Sequence, residues 1–346
     1  MKTHFIQSLH RIALSLTLTV TLASCTKDEA RPTPDTGGHK GGSVAITLVA
    51  DQPQGKAFFD GTAEAWEKTL GTLSIFVFDP AGTLLTQRNF TPDELAAKKA
   101  VFSIPGATPG ANCEFYAVAN IPVTNITDKA GLLALLESSP ADYNGTFAEV
   151  STKAKRAGGF VMSGSASKAI AAAGTQTDVA VTLKRTVAKI AVQAGMSADF
   201  SSKYRGAVKI NSIKLSKAAS QSPVIKPAAP TPGGMTYTHT QSSNTAGAKY
   251  QNLFYVFENG ALAAGSRVLL ELDATYDADG NFSSTKDQAS VSYKIELDGK
   301  AGGLIERNGY YKIDASISGL SGSDAAITVS VAEWESPVTQ TLNVGQ

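Results

Sequence analysis

Chemistry needs particular residue types held close together, and this chain of 346 residues offers few such sets. Beyond residue 25 only two histidines occur, His39 in a Pro/Gly-rich stretch and His239 in a polar one. Neither has a Ser or Asp at a spacing that suggests a triad, and no Cys–His cluster exists to hold zinc. Ser163, in "MSGSAS", lacks the G-x-S-x-G frame of a nucleophile elbow and reads as a strand end or turn. Asp273, Asp277 and Asp279 in "DATYDADGN" fall short of a calcium loop, which needs a longer ordered set of oxygens and a distal bidentate Glu. Asp279-Gly280 fits a hairpin turn instead. The other carboxylates are scattered, so no glycosidase pair stands out. The residues point to no catalytic site, no metal and no cofactor.

What remains is chemistry done to the chain. A basic leader (Lys2, His4, His10, Arg11) precedes an apolar run from Ile12 to Ala23, too short for a comfortable membrane span. It ends in Leu22-Ala23-Ser24-Cys25. This resembles the lipobox of bacterial lipoproteins, where the signal is cut before the cysteine and the thiol is lipidated. An ordinary secretory signal with an incidental cysteine is the plainer alternative. Thr26-Lys27-Asp28-Glu29 is similar to the surface-export signal of Bacteroidota lipoproteins, and is equally a solvated tether. The only other cysteine, Cys113, lies in the apolar run "ANCEFYAVAN". It is expected to be a buried small hydrophobe, which excludes a disulfide framework. Lys56 sits between Gly55 and Ala57 in a turn-rich stretch.

The elements around these residues read as strands. There are 31 Lys and Arg against 30 Asp and Glu, so nothing favours nucleic acid. Hydrophobic residues make up 42% of the chain, enough for ordinary cores. Alternating β-branched residues predict an all-β protein of β-sandwiches. Residues 26–42 are a linker. "SVAITLVAD" is a first strand with Val44, Ile46 and Leu48 on one face. "TLSIFVFDPAGTLL" is a hairpin, and "TDKAGLLALLESS" a short helix capped by Thr127 or Asp128. "DVAVTLKRTVAKIAVQAG" reads as one long strand interrupted by Lys184-Arg185, which sets a domain boundary near 185. Residues 222–249 read as a long Pro/Gly-rich loop, followed by strands up to "AAITVSVAEWE".

The sequence closes on "VAEWESPVTQTLNVGQ", where Val338, Gln340, Leu342 and Val344 recur at period two. Chain ends are usually polar and frayed unless something holds them. This segment is therefore either an edge strand of its own domain or a strand looking for another partner.

Several segments together resemble the FimA-type major fimbrial subunits (fimbrillins) of Bacteroidota. They are the lipobox, "LGTLSIFVFDPAGTLL", "CEFYAVANIP", "LKRTVAKIAV", and "IERNGYYKIDASISGL" followed by "ITVSVAEWE". Arg307, Asn308, Tyr310 and Trp334 are the distinctive residues. The resemblance implies two transthyretin-like β-sandwich domains with short helices and a long loop in the second. It divides the chain into a signal peptide (1–24), a tether (25–42), an N-terminal domain (43–184) with a removable first strand (43–51), and a C-terminal domain (185–346) with a donor strand (338–346). It further implies a non-enzymatic fimbrial subunit: an outer-membrane lipoprotein precursor lipidated at Cys25, then cut by a trypsin-like protease. Lys56 matches the cleavage position, where the best-known members carry Arg. Loss of the Val44/Ile46/Leu48 strand opens a groove that the Val338/Gln340/Leu342/Val344 strand of another subunit fills. Backbone hydrogen bonds and alternate side chains would hold it, three aliphatics contributing ~5–9 kcal/mol before ordering costs. Such a contact does not close on itself, so it grows a filament. A tip or accessory adhesin and a surface glycan-binding lipoprotein are the alternatives. The latter would want exposed aromatics, and the 220–250 stretch offers only Tyr237 and Tyr250.

Overall fold

Short runs of alternating β-branched and aromatic residues become strands throughout the computed structural model. It describes residues 42–47, 63–138, 144–146, 159–240, 246–247, 249–298, 301–320 and 325–333. In order they form β1 (Gly42–Thr47), a 3-10 turn (Trp66–Lys68), β2 (Leu73–Phe78), β3 (Leu84–Asn89), α1 (Pro92–Ala97), β4 (Lys99–Ile104), β5 (Asn112–Ala119), α2 (Lys129–Leu133), β6 (Leu136–Ser138) and β7 (Asn144–Thr146). There follow β8 (Met162–Ala169), β9 (Gln176–Asp178), β10 (Lys184–Arg185), β11 (Val187–Met196), α3 (Phe200–Lys203), β12 (Ala207–Ala218), β13 (Gln221–Pro223) and β14 (Met235–Thr240). The last are β15 (Tyr250–Phe257), β16 (Leu269–Asp277), β17 (Gln288–Glu296), β18 (Gly309–Ile317) and β19 (Ala325–Glu333). No helix among the described residues is long and apolar enough to cross a membrane.

Two sheets enclose the first core: a three-stranded one in the order β4-β1-β9 and a five-stranded one in the order β10-β8-β5-β2-β3. Every residue of β2 is buried. Leu73, Ile75 and Val77 enter the first core, while Phe76 and Phe78 enter a second cluster on the other face. Period-two alternation therefore buries both faces of this strand.

The central sheet, β19-β18-β11-β15-β7, works the same way on a larger scale. From β11, Val187 and Ala191 pack into the first core, while Ala188, Ile190 and Val192 pack into a further core. That further core is closed by Ile213, Leu215, Leu270 and Leu272 of the sheet β14-β12-β16-β17. Strands also cross between the two halves: β6 pairs β13, and β7 pairs β15. The described residues, Gly42 to Glu333, all fall in one compact unit.

Charges buried along β10 and β11 are matched by groups far away in sequence. Glu67, in the 3-10 turn, has no exposed surface; its carboxylate accepts from Lys189 Nζ at 3.0 Å and from the Tyr255 hydroxyl. Arg185 donates Nε to the Glu67 carbonyl at 2.9 Å and Nη1 to Asn308 Oδ1 at 2.7 Å. Burial, with Glu67 alongside, drives the Tyr255 hydroxyl well above the ordinary range, so it stays protonated and can donate. Buried charges are tolerable only when paired in this way.

Arg307 makes a second tie. Its Nε donates to Glu258 Oε2 at 2.8 Å, and its two amino groups donate to the carbonyls of Pro223, Val224, Ile225 and Lys226 at 2.7–3.2 Å. A planar five-donor fork suits this task and an ammonium does not. The clamped segment inserts Val224 into the cluster over Phe76 and Phe78.

Several expectations change. Residues 222–249 are not one long loop: "MTYTHT" alternates and forms β14, and 221–223 form β13. Tyr237 and Tyr250 are both buried, which removes the exposed aromatics a glycan-binding reading would use. His239 stands in β14, its ring 6.3 Å from that of Tyr250. The long strand through Lys184-Arg185 is two strands: β10 pairs β8, and β11 pairs β15 and β18. Helix α1 was not anticipated, although Thr91 and Glu94 form a capping box with Pro92 just inside. Asp128 caps α2 as expected, accepting from Gly131 N at 2.8 Å.

Replacing Arg307 with Met strands the Glu258 carboxylate in a buried site and should cost ~3–5 kcal/mol of stability. Denaturant unfolding measures the loss, and hydrogen exchange should quicken across residues 221–226. Arg307→Lys should recover only part of it; an unchanged unfolding midpoint for either variant contradicts the clamp.

Candidate functional site

No cluster of described residues has the geometry of a catalytic centre. Ser163 Oγ is buried and donates to the Val224 carbonyl, so it has no exposed nucleophilic position. Asp273 parts from the other two aspartates, accepting from Lys214 at 2.6 Å, Ser212 at 3.0 Å and Ser292 at 3.1 Å. Asp277, Asp279 and Asp287 converge on the β16–β17 loop, with one carboxylate oxygen of each lying within 4.8 Å of the others. They cap backbone there: Asn281 N donates to Asp277 at 2.9 Å and to Asp279 at 2.7 Å. Cys113 is free and buried, and burial pushes its thiol up, away from reactivity.

The feature with functional geometry is the place of β1. It lies inside its sheet, antiparallel to β4 and parallel to β9. Val44 is in register with Phe102 on β4 and Thr177 on β9, and Ile46 with Ala100. The sequence had put Val44 and Ile46 on one apolar face. The β4 residues at those register positions alternate in burial. Ala100 and Ile104 are buried in the first core and Phe102 packs against it, whereas the intervening Val101 is 52% exposed. Thr177 on β9 is buried, as are Val179 and Val181 just beyond it. Asp178, on the β9 side, has its carboxyl raised by burial, with Lys168 and Lys99 opposing the shift.

Without β1, the facing edges of β4 and β9 would present unpaired backbone donors and acceptors on either side of an apolar floor. That is a slot for a strand. Leu48, Cys25, Lys56 and the tail residues Val338, Gln340, Leu342 and Val344 lie outside the described residues, as does Trp334. β19 pairs with β18 and ends at Glu333 as an outer strand of its sheet among the described residues.

The distinctive residues of the resemblance, Arg307, Asn308 and Tyr310, prove to be structural ties. Asn308 adopts positive φ and accepts from Arg185. The Tyr310 ring lies 5.3 Å from the Lys189 ammonium. Sequence reasoning missed Glu67, Tyr255 and Glu258. Charges inside the apolar run "KRTVAKIAV" were the available signal, because a buried cation demands an anion somewhere.

The fimbrillin-A associated anchor protein family (Mfa1 and Mfa2) matches residues 33–338. No curated protein matches the chain. The fold is similar to that of a fimbrilin (FimA) from Porphyromonas gingivalis, with a TM-score of 0.55 at 16% identity over 86% of this chain and 98% of that one. It is also similar to the tip fimbrial protein Mfa3 from Porphyromonas gingivalis, with a TM-score of 0.50 at 16% identity over 84% of this chain and 100% of that one. These all-β relatives share the architecture, and the match to the family spans most of the sequence. The chain belongs to the fimbrillin-A associated anchor protein family and is a structural or accessory subunit of cell-surface fimbriae, with other fimbrial subunits as its partners.

Proposed function

We propose that the protein is a non-enzymatic stalk subunit that polymerises by exchanging β1 for the tail of another copy. The observation that carries this is the interior position of β1. A strand paired on both sides can be replaced only by another strand, because nothing else satisfies both rows of backbone groups. The precursor carries a signal peptide (1–24) and a lipid on Cys25, with a tether (25–42) leading to the outer surface. A trypsin-like protease cuts after Lys56, releasing lipid, tether and β1 together. The tail of another copy then occupies the slot between β4 and β9, its Val338, Leu342 and Val344 taking the apolar positions. The proposed division near residue 185 falls between β10 and β11, so it gives the rod two cores that share one layer.

The family's description as anchor proteins favours a second reading, and the order of residues makes the two exclusive. Cys25 precedes β1, and β1 precedes Lys56. A cut at Lys56 therefore removes the lipid and opens the slot in one event. An anchor must skip this cut, retaining both lipid and β1 while lending its tail to a neighbour. The N-terminus of the protein recovered from fimbriae separates the readings by mass spectrometry. Ala57 is expected for a stalk subunit, and lipidated Cys25 would establish the anchor.

The donor assignment has its own test. Trimmed protein should form ladders on a gel, and Leu342→Asp should abolish them while leaving the monomer folded by circular dichroism. A carboxylate at this position forfeits the burial that Leu342 contributes and adds a desolvation cost against the remaining aliphatics. Ladders that persist without residues 338–346 contradict the tail as donor.

A further inference from the structure

Between β1 and β2 the sequence offers a trypsin-like protease two sites, Lys56 and Lys68. A cut after Lys68 would remove the Trp66–Lys68 turn from the body of the protein. We infer that the buried Glu67 lock, together with an Asn120 clamp, confines processing to the upstream site by holding the surface-lying Lys68–Thr69 bond out of the extended form that a protease must bind. This rests on the proposal that the protein is trimmed at Lys56.

The bond is pinned on both sides. Before it, the Glu67 carboxylate is held by Lys189 and Tyr255, the Glu67 carbonyl accepts from Arg185, and Glu64 N donates to Glu67 Oε2 at 2.6 Å. The Trp66 ring packs 5.4 Å from Phe160 and 5.7 Å from Tyr255. After the bond, Asn120 Nδ2 donates to the Thr69 carbonyl at 2.8 Å, and Gly71 N donates to Asn120 Oδ1 at 2.8 Å. Asn120 holds this position at positive φ, and its Nδ2 also reaches the Phe160 carbonyl at 2.7 Å. Gly159 completes the fit, since a Cβ there would stand 2.5 Å from the Thr69 carbonyl.

A trypsin-like protease takes its substrate extended over several residues around the cut. Engaging Lys68 requires residues 66–72 to leave these partners together, including a carboxylate with no exposed surface. Cleavage then tracks the small population in which this segment opens. Removing one member of a buried ion pair is strongly destabilising, so it should raise that population steeply.

The test is trypsin treatment of the full chain, reading the N-termini of the products by mass spectrometry over time. The native chain should yield the Ala57 terminus with the Lys68–Thr69 bond intact. Glu67→Gln and Lys189→Met should each release a Thr69 terminus at least ~10-fold faster, while cleavage at Arg88 and Lys312 stays at the native rate. Tyr255→Phe, which removes one hydrogen bond and keeps the ring packing, should do the same to a smaller extent. Rapid native cleavage at Lys68 overturns the inference, as does an unchanged Lys68 rate in all three variants. Cleavage that rises equally at Lys68, Arg88 and Lys312 also overturns it, because it means global unfolding in place of a local lock. A native chain that resists trypsin at Lys56 counts instead against trimming there, leaving the lock intact.

Discussion

A position in the middle of a sheet cannot be left empty. Strands β4 and β9 each turn a row of backbone donors and acceptors toward β1, and these groups need partners whichever chain supplies them. Hydrogen bonding makes the slot generic, since any extended backbone satisfies it. The apolar floor makes it selective, since Ala100, Ile104 and half-buried Phe102 alternate with outward residues and accept only a strand of matching period. A segment held by such a slot, and followed by the candidate cleavage residue Lys56 before the body of the protein begins at residue 63, is the minimum equipment for the proposed strand exchange.

The proposed exchange would also need a body that does not loosen when one strand leaves. The central sheet supplies this by burying both faces, one against each of two cores, so the halves share a layer. The Glu67–Lys189–Tyr255–Arg185 cluster fastens the start of the chain's body to that layer, and the Arg307–Glu258 pair fastens residues 223–226 across the first half. Neither network is the cheapest way to fill space, because apolar residues often do as well as buried ion pairs. What they add is direction: each charge accepts few alternative partners, so the segments they hold have one place to sit.

The sequence revealed those parts of the design whose signal is local. Ser43–Thr47 announced a strand through period two, and of the two cap candidates Thr127 and Asp128 the second caps α2. Thr91-Pro92-Asp93-Glu94 carried an equally local capping signal that went unread. Strand β14 hid because Met235–Thr240 follows a stretch rich in Pro and Gly, and composition outweighed a six-residue alternation. The buried networks were beyond sequence reading for a different reason. Lys189 and Glu67 are 122 residues apart, and Arg185 and Asn308 are 123 apart. Lys184-Arg185 showed as a break in the pattern, and β10 and β11 are indeed separate strands, but the partners that hold Arg185 cannot be seen without the fold. Separations of 49 and 51 residues likewise hid the role of Asn120, which follows an apolar strand yet holds the turn before β2.

The central claim is that the tail of one copy enters the place of β1 in another. It is most directly tested by a disulfide trap, with Cys placed at Phe102 on β4 and at Leu342 in the tail. Native thiols do not interfere when Cys25 is replaced by Ser in both the trimmed and the untrimmed protein, since Cys113 is buried. After trimming at Lys56, oxidation should join separate chains into ladders that a reductant dissolves, and the untrimmed protein should form none. A cross-link that closes within single chains, or filaments that assemble with both thiols still free, would contradict the account.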